Sequence, residues 1–398
     1  MGEPHASVHK ADTPPSSPAV VELLSLSSQL PMEPTAAHPH LSVVVVSRND
    51  DHGKNLLSRM QLFIDGVAEQ AVRFNVPTEL IVVEWNPPPD RPALAQALRW
   101  PTGENPVVRL LTVSRDRHLQ FAGGERLPLF QMIGKNVGIR RAKGEFVLAT
   151  NIDILLSDPL FQFLAGPLDE HSVYRADRLD VNADVLADGE AVPEQVRQAQ
   201  PVRRALKDGT YEEGMARVMP IYQGVGDLAF AIARRVLLPG RAADRIARLP
   251  TTLANLSRSA YRLAMLPKLH TNACGDFTLI SNGGWQELRG YPEWEMFSLH
   301  LDSLLLFQAA SRHFRFVELP PEMAIIHVDH EVGSGWSVEG ETRLFDRLRA
   351  GDIPVLSDDD LGRVAMALDR ARRQNLATGF NLEGWGLADE DVTETRLN

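Results

Sequence analysis

The sequence predicts an α/β protein built on a doubly wound, mostly parallel sheet, with a helical insert and a C-terminal helical extension. Three continuous apolar runs, LSVVVVS (41–47), ELIVVEW (79–85) and VRLLTVS (108–114), read as strands covered on both faces, because a half-exposed strand would alternate apolar and polar residues. Residues 54–74, between the first two runs, place Leu56, Met60, Phe63, Val67 and Ala71 at helical spacing. Alternating strands and helices of this kind bury a parallel sheet between helical layers. With 398 residues, 44% of them apolar, the chain can bury one large core, alone or with an appendage.

Composition removes several function classes. A formal net charge of −11 argues against a dedicated nucleic-acid binder. Cys274 is the only cysteine, which excludes an intramolecular disulfide and a thiolate metal cluster and fits a reducing compartment. The sequence has no run of eighteen apolar residues and no cationic-then-apolar leader, so a cytoplasmic protein is expected. It also has no G-x-x-x-x-G-K-[ST] and no G-x-G-x-x-G after the first strand, which weighs against P-loop NTPases, nicotinamide dehydrogenases and pyrophosphorylases.

Residues 1–40, rich in Pro, Ser, Thr and His, read as a disordered or loosely draped leader, in which VVELLSL (20–26) could form a short helix. Residues 41–200 form the first α/β half. Its first strand ends in Arg48, Asn49, Asp50 and Asp51, its second in Glu84 and NPPPDRP. A helix of about 128–142 leads into the strand FVLAT (146–150), which delivers Asn151, Ile152 and Asp153. Ligands of such sheets sit beyond the carboxyl ends of the strands, so Asn49, Asp50, Glu84, Asn86, Asn151 and Asp153 gather on one rim. If residues 151–153 stay extended, Asn151 and Asp153 point the same way. An amide oxygen and a carboxylate there would suit Mg²⁺ or Mn²⁺ holding a phosphate. The alternative is a turn in which both residues cap the next segment.

Farther on, VYRADRLDV (173–181) reads as a strand and a charged turn. Residues 203–268 carry twelve Lys and Arg against five Asp and Glu, interleaved with apolar residues. This is either an inserted helical subdomain (201–268) with solvated cations or a basic amphipathic surface for an anionic membrane or a partner. The second half, 269–345, has Gly275 and Asp276 entering a strand, then a helix with Asp302 in its first turns. A further strand ends in His327, Val328, Asp329 and His330, followed by the flexible GSGW. The region 346–398 reads as a helix of about 358–376 and an acidic tail.

The stretch KNVGIRRAKGE (135–145), with the strand and Asn-Ile-Asp after it, resembles the segment that leads into the D-x-D motif of family-2-type glycosyltransferases of the GT-A fold. Lys135, Asn136, Gly138, Ala142, Gly144 and Glu145 fall at matching positions, with Lys135 in place of the usual Arg and Asn151 in place of the first Asp. The resemblance covers 41–160 and, more loosely, 269–337. It implies a metal-dependent, inverting enzyme that moves a sugar from a nucleotide-sugar, UDP-linked by preference, to a hydroxyl of a glycan or lipid-linked acceptor. Asp153, Asn151 and a C-terminal histidine, His330 or else His327, would hold Mn²⁺ or Mg²⁺. Asn49 lies in the base-holding loops, where Asp50 or Glu84 would accept from the uracil N–H, and Lys135 or Arg140 would approach the diphosphate. Asp302 would be the catalytic base, with Asp276 the second candidate for that role or for a sugar hydroxyl. Two alternatives stand beside this reading: a non-catalytic nucleotide-sugar-binding scaffold of polysaccharide assembly, and a sugar-phosphate nucleotidyltransferase.

Overall fold

The computed structural model describes residues 38–50, 55–186, 192–207, 209–212, 266–330, 338–390 and 392–398. Strands β1 (Leu41–Ser47), β2 (Thr78–Trp85), β3 (Val107–Val113) and β4 (Phe146–Thr150) are mutually parallel and lie in the order β3-β2-β1-β4. The sheet continues from β4 through β10 (Phe277–Ser281), β6 (Ser172–Arg175) and β11 (Arg315–Glu318), and from β3 to β13 (Thr393–Arg396). β10 and β13 run against their neighbours. A smaller sheet has the order β5-β12-β7-β8-β9, from β5 (Ile154–Leu156), β7 (Arg178–Val181), β8 (Pro201–Leu206), β9 (Gly209–Glu212) and β12 (Ile325–Val328).

The period-2 alternation of β1 and β2 feeds two separate cores. Val43, Val45, Leu80 and Val82 meet helix α1 (Leu56–Arg73) through Met60, Phe63 and Ile64. Val44, Val46, Ile81 and Val83 meet the opposite layer through Ile133 and Val137 of a second long helix. The short helices α2 (Leu94–Ala97) and α3 (Arg115–His118) follow β2 and β3, and that second long helix is α4 (Gln131–Arg140). α4 lies close on β1 because Gly134 and Gly138 face it. A Cβ there would come within 2.6 Å of Val46 and 2.5 Å of Val44. Helices α5 (Asp158–Leu164) and α6 (Pro193–Gln198) precede α7 (Asn282–Leu288) and α8 (Leu301–Ser311), which join the α4 layer. After α9 (Val338–Ala350), α10 (Asp358–Arg373) packs on α8. Ser357 caps α10, three aspartates occupy its first turn, and three arginines occupy its last, in keeping with the helix dipole.

The strand order reverses between β1 and β4, and in open α/β sheets ligands bind beyond the carboxyl ends at such a reversal. The chain passes from the large sheet to the small one twice nearby, at 151–153 between β4 and β5, and at 176–177 between β6 and β7. The small sheet then aligns its members. His327 on β12 sits opposite Ile154 of β5 and opposite Asp180 of β7.

Several expectations change. Residues 201–212 are the β8–β9 hairpin rather than the start of a helical insert. The rest of that basic segment, 213–265, lies outside the described residues, as do the leader 1–37 and the GSGW loop. The two halves share one sheet, since β10 inserts between β4 and β6. The tail ends in β13, an edge strand whose Glu394 pairs with Arg109. Among the described residues, no helix is long and apolar enough to cross a membrane.

Candidate metal centre

Asp153, His327 and His330 each place a ligating atom so that all three lie within 4.8 Å of one another. His330 Nε2 is 3.6 Å from Asp153 Oδ2, and His327 Nε2 is 4.0 Å from the same oxygen. The parallel pairing of β12 with β7 puts Asp180 beside His327, and His327 Nδ1 donates to Asp180 Oδ1 at 3.1 Å. An ionised carboxylate accepts only, so Nδ1 is the donor in that bond and Nε2 is left facing Asp153. This carboxylate–histidine arrangement orients metal-binding imidazoles. Asp180 is itself ion-paired to Arg178 at 2.9 Å and Arg203 at 3.3 Å. Burial opposes its charge, but His327 and the two guanidiniums outweigh burial and hold its carboxyl below the usual range.

The third neighbour of Asp153 is Arg59, on the buried side of α1, with Nη1 2.5 Å from Oδ2. Burial again opposes ionisation, yet His330, His327 and Arg59 together hold the Asp153 carboxyl far below its ordinary value. Arg59 uses part of one oxygen's acceptor capacity, and a carboxylate offers about four acceptor sites. The donor set of one carboxylate and two imidazoles fits a divalent ion. Its two nitrogens favour Mn²⁺ over Mg²⁺, which prefers oxygen.

Asn151 does not join the three. Residues 151–154 close a turn, with Ile154 N–H donating to the Asn151 carbonyl at 3.3 Å, so the extended alternation fails. The Asn151 amide is turned elsewhere: its oxygen accepts from Gln131 at 2.9 Å and its nitrogen donates to Asp276 at 2.6 Å. Asp276 also accepts from Arg178 at 2.6 Å. Each of its oxygens thus already accepts one bond from a neighbouring side chain. Asp302 stands in the first turn of α8, with one oxygen accepting from Ser303 N–H at 2.8 Å.

The expected nucleotide ligands divide. Lys135 is fully buried and donates to the Gly275 carbonyl at 2.6 Å, so it does not face an open diphosphate site. Burial lowers its ammonium to about 8, and nearby Asp276 and Asp302 limit the fall. Arg140 is the last residue of α4, about 7.5 Å of helical rise from Lys135, where it bonds the Glu383 carbonyl and covers the Trp385 ring. It is remote from the rim. Glu84 is buried and accepts from Leu94 N–H at 2.7 Å; burial pushes its carboxyl up and that bond partly offsets it. Asn49 is buried and bonds the Pro92 carbonyl at 2.9 Å. Asp50 is the more exposed rim carboxylate, paired with Arg48 at 3.3 Å. Arg48 and Asn86 both donate to the Pro128 carbonyl, at 2.9 and 3.0 Å.

Arg59, Arg178 and Asp180 escaped the sequence reading of the site. Each carried a signal. Arg59 interrupts the apolar stripe of α1, and Arg178 and Asp180 are opposite charges two apart on one strand face. A separate cavity of about 270 Å³ is lined by Arg117, Phe121, Ile133, Glu293 and Glu295, among others, and by none of the three candidate ligands. The sequence matches no family model and no curated protein.

Proposed function

We propose that the chain is a metal-dependent glycosyltransferase of the GT-A type, inverting, taking a UDP-linked sugar and a hydroxyl of a glycan or lipid-linked acceptor. The observation that carries the reading is the meeting of Asp153 with His327 and His330 at the end of β4. The 135–153 resemblance points to that strand end, and the reversal of strand order beside it supports a nucleotide crevice there. Asp153, His327 and His330 would hold the ion, Mn²⁺ by its donor set, with Asp180 orienting His327. Such an ion neutralises charge that grows on a leaving diphosphate. Asp302 takes the proton of the attacking hydroxyl. Asp50, on the polar loop after β1, is the better-exposed acceptor for a base N–H, and Glu84 is displaced from that role by its bond to Leu94. The proposal places the protein in the cytoplasm, with acceptors reached there or at the inner face of a membrane.

Hydrolysis of UDP-sugars with and without Mn²⁺ tests the reading, alongside a thermal-shift panel in which ligand binding raises the midpoint by mass action. Asp153→Ala should lose both the Mn²⁺ response and turnover, the latter by orders of magnitude. Wild-type hydrolysis by that variant would sink the proposal. One observation favours a second reading, a non-catalytic nucleotide-sugar-binding scaffold: Arg59 already neutralises Asp153 without an ion. UDP-sugar binding without Mn²⁺-dependent hydrolysis would select it.

A further inference from the structure

We infer that Lys135 is the positioning residue of Asp302 and acts through the Gly275 peptide; the inference rests on Asp302 being the base. Lys135 Nζ donates to the Gly275 carbonyl at 2.6 Å from a side chain with no exposure. An ammonium removed from water must be compensated by well-placed partners, so its position is tightly determined. The other side of the same glycine carries Asp302. A Cβ at Gly275 would fall 2.9 Å from Asp302 Oδ2, so the carboxylate rests where any other residue would put a side chain. Its second oxygen is held by Ser303 N–H at 2.8 Å. One oxygen is thus held by the α8 backbone, and the other lies beside the Cα of a glycine whose carbonyl Lys135 holds.

The loop cannot drift away from this arrangement. Arg175, fully buried, donates to the carbonyls of His270 and Asn272 at 3.0 Å each, and Arg178 takes Asp276 Oδ2 at 2.6 Å. Three buried cations from α4, β6 and β7 therefore grip the segment 270–276. Of the groups near Asp302, Lys135 from α4 and Arg175 from β6 are cations, whereas burial pushes up the Cys274 thiol and the Tyr291 phenol, between α7 and α8, and keeps both neutral. Asp276 belongs to the same loop, and His300, two residues from Asp302, is turned to Asp358 at 3.0 Å. Of these two cations, only Lys135 also holds the carbonyl of the glycine beside the carboxylate.

The test compares Lys135→Met, Lys135→Arg, Gly275→Ala and Asp302→Asn. In UDP-glucose turnover with Mn²⁺, Lys135→Met should lower kcat by about 100-fold with KM little changed, and Lys135→Arg should restore most of it. Gly275→Ala should fold normally, because the atom it displaces is the far end of a flexible side chain. With UDP-glucose and Mn²⁺ as the probe reaction, it should lower kcat by about 100-fold with KM little changed, as expected for a misplaced reacting group. A merely structural lysine would lower the melting midpoint without the split between kcat and KM. Wild-type kcat in Gly275→Ala, or in folded Lys135→Met, overturns the inference. If Lys135→Met fails to fold, Gly275→Ala decides. An inactive Asp302→Asn beside a fully active Gly275→Ala would sink this inference alone, whereas a fully active Asp302→Asn would remove the base assignment itself.

Discussion

Replacing Arg59 by Met isolates what the buried cation does for Asp153. The side chains are 1% and 15% exposed, and Nη1 lies 2.5 Å from Oδ2, so the pair is desolvated. Removing one partner of a buried pair costs about 3–5 kcal/mol, because the other charge is stranded. Here His330 and His327 remain, at 3.6 and 4.0 Å, so the low end, about 3 kcal/mol, applies. Melting entropy of about 2.1 cal/mol/K per residue, taken over the unit His38–Asn398, gives about 0.8 kcal/mol/K. The midpoint in EDTA should therefore fall by roughly 4 °C. Mn²⁺ would then replace the missing positive charge, so the variant should gain more from Mn²⁺ than the wild type does. Differential scanning calorimetry with EDTA or with Mn²⁺ measures both effects. An unchanged midpoint in EDTA, or an equal Mn²⁺ gain in the two proteins, would refute the reasoning. The pH dependence follows from the same pair. A carboxyl held below its unfolded value contributes its full stability above about pH 4 and loses it as pH falls toward the folded value. The deficit of Arg59→Met should accordingly be complete at neutral pH and shrink in acid.

Asp180→Asn keeps the shape beside His327 but weakens the acceptor that orients it, so Mn²⁺ affinity should fall about 10–100-fold by titration calorimetry. Glu84→Gln should leave any UDP-induced thermal shift intact, since the residue serves Leu94 N–H. Because burial raises the Glu84 carboxyl, its protonated form suits the folded state and that advantage fades as pH rises; Glu84→Gln should therefore gain on wild type in urea melts as pH rises above the unfolded value, and level off once the folded carboxyl has ionised. Glu394→Gln breaks a pair whose Arg109 is buried but whose carboxylate is 41% exposed, so screening limits the loss to about 1 kcal/mol by urea midpoint.

What could be read beforehand follows the physics of each element. β1, β2 and β4 were legible because strands buried on both faces need unbroken apolar runs, and the FVLAT boundaries agree with the observed strand. β13 was not, because Thr393–Arg396 is exposed along its length and is a strand only through the backbone of β3. The β8–β9 hairpin hid in a basic segment whose charges pair with Asp180, Asp329 and Glu318. In the candidate site, His327 and His330 stood out in the sequence because they end an apolar run. The roles of Lys135 and Glu84 were misjudged because a charged side chain at a strand or helix end can turn inward to satisfy backbone groups, and only packing decides which way it turns. Asn151 followed its turn-forming tendency rather than strand alternation.

The ladder joining β12 to β5 on one side and β7 on the other has a consequence for how freely the molecule can vary. His327 stands level with Ile154, the residue after Asp153, and with Asp180. The gap between the acid and the imidazole is thus metered by main-chain pairing, not by the shapes of neighbouring side chains. Either apolar layer can be rebuilt with different residues while that gauge stays true, but a one-step slip of β12 would turn His327 to the other face and dismantle it at a stroke.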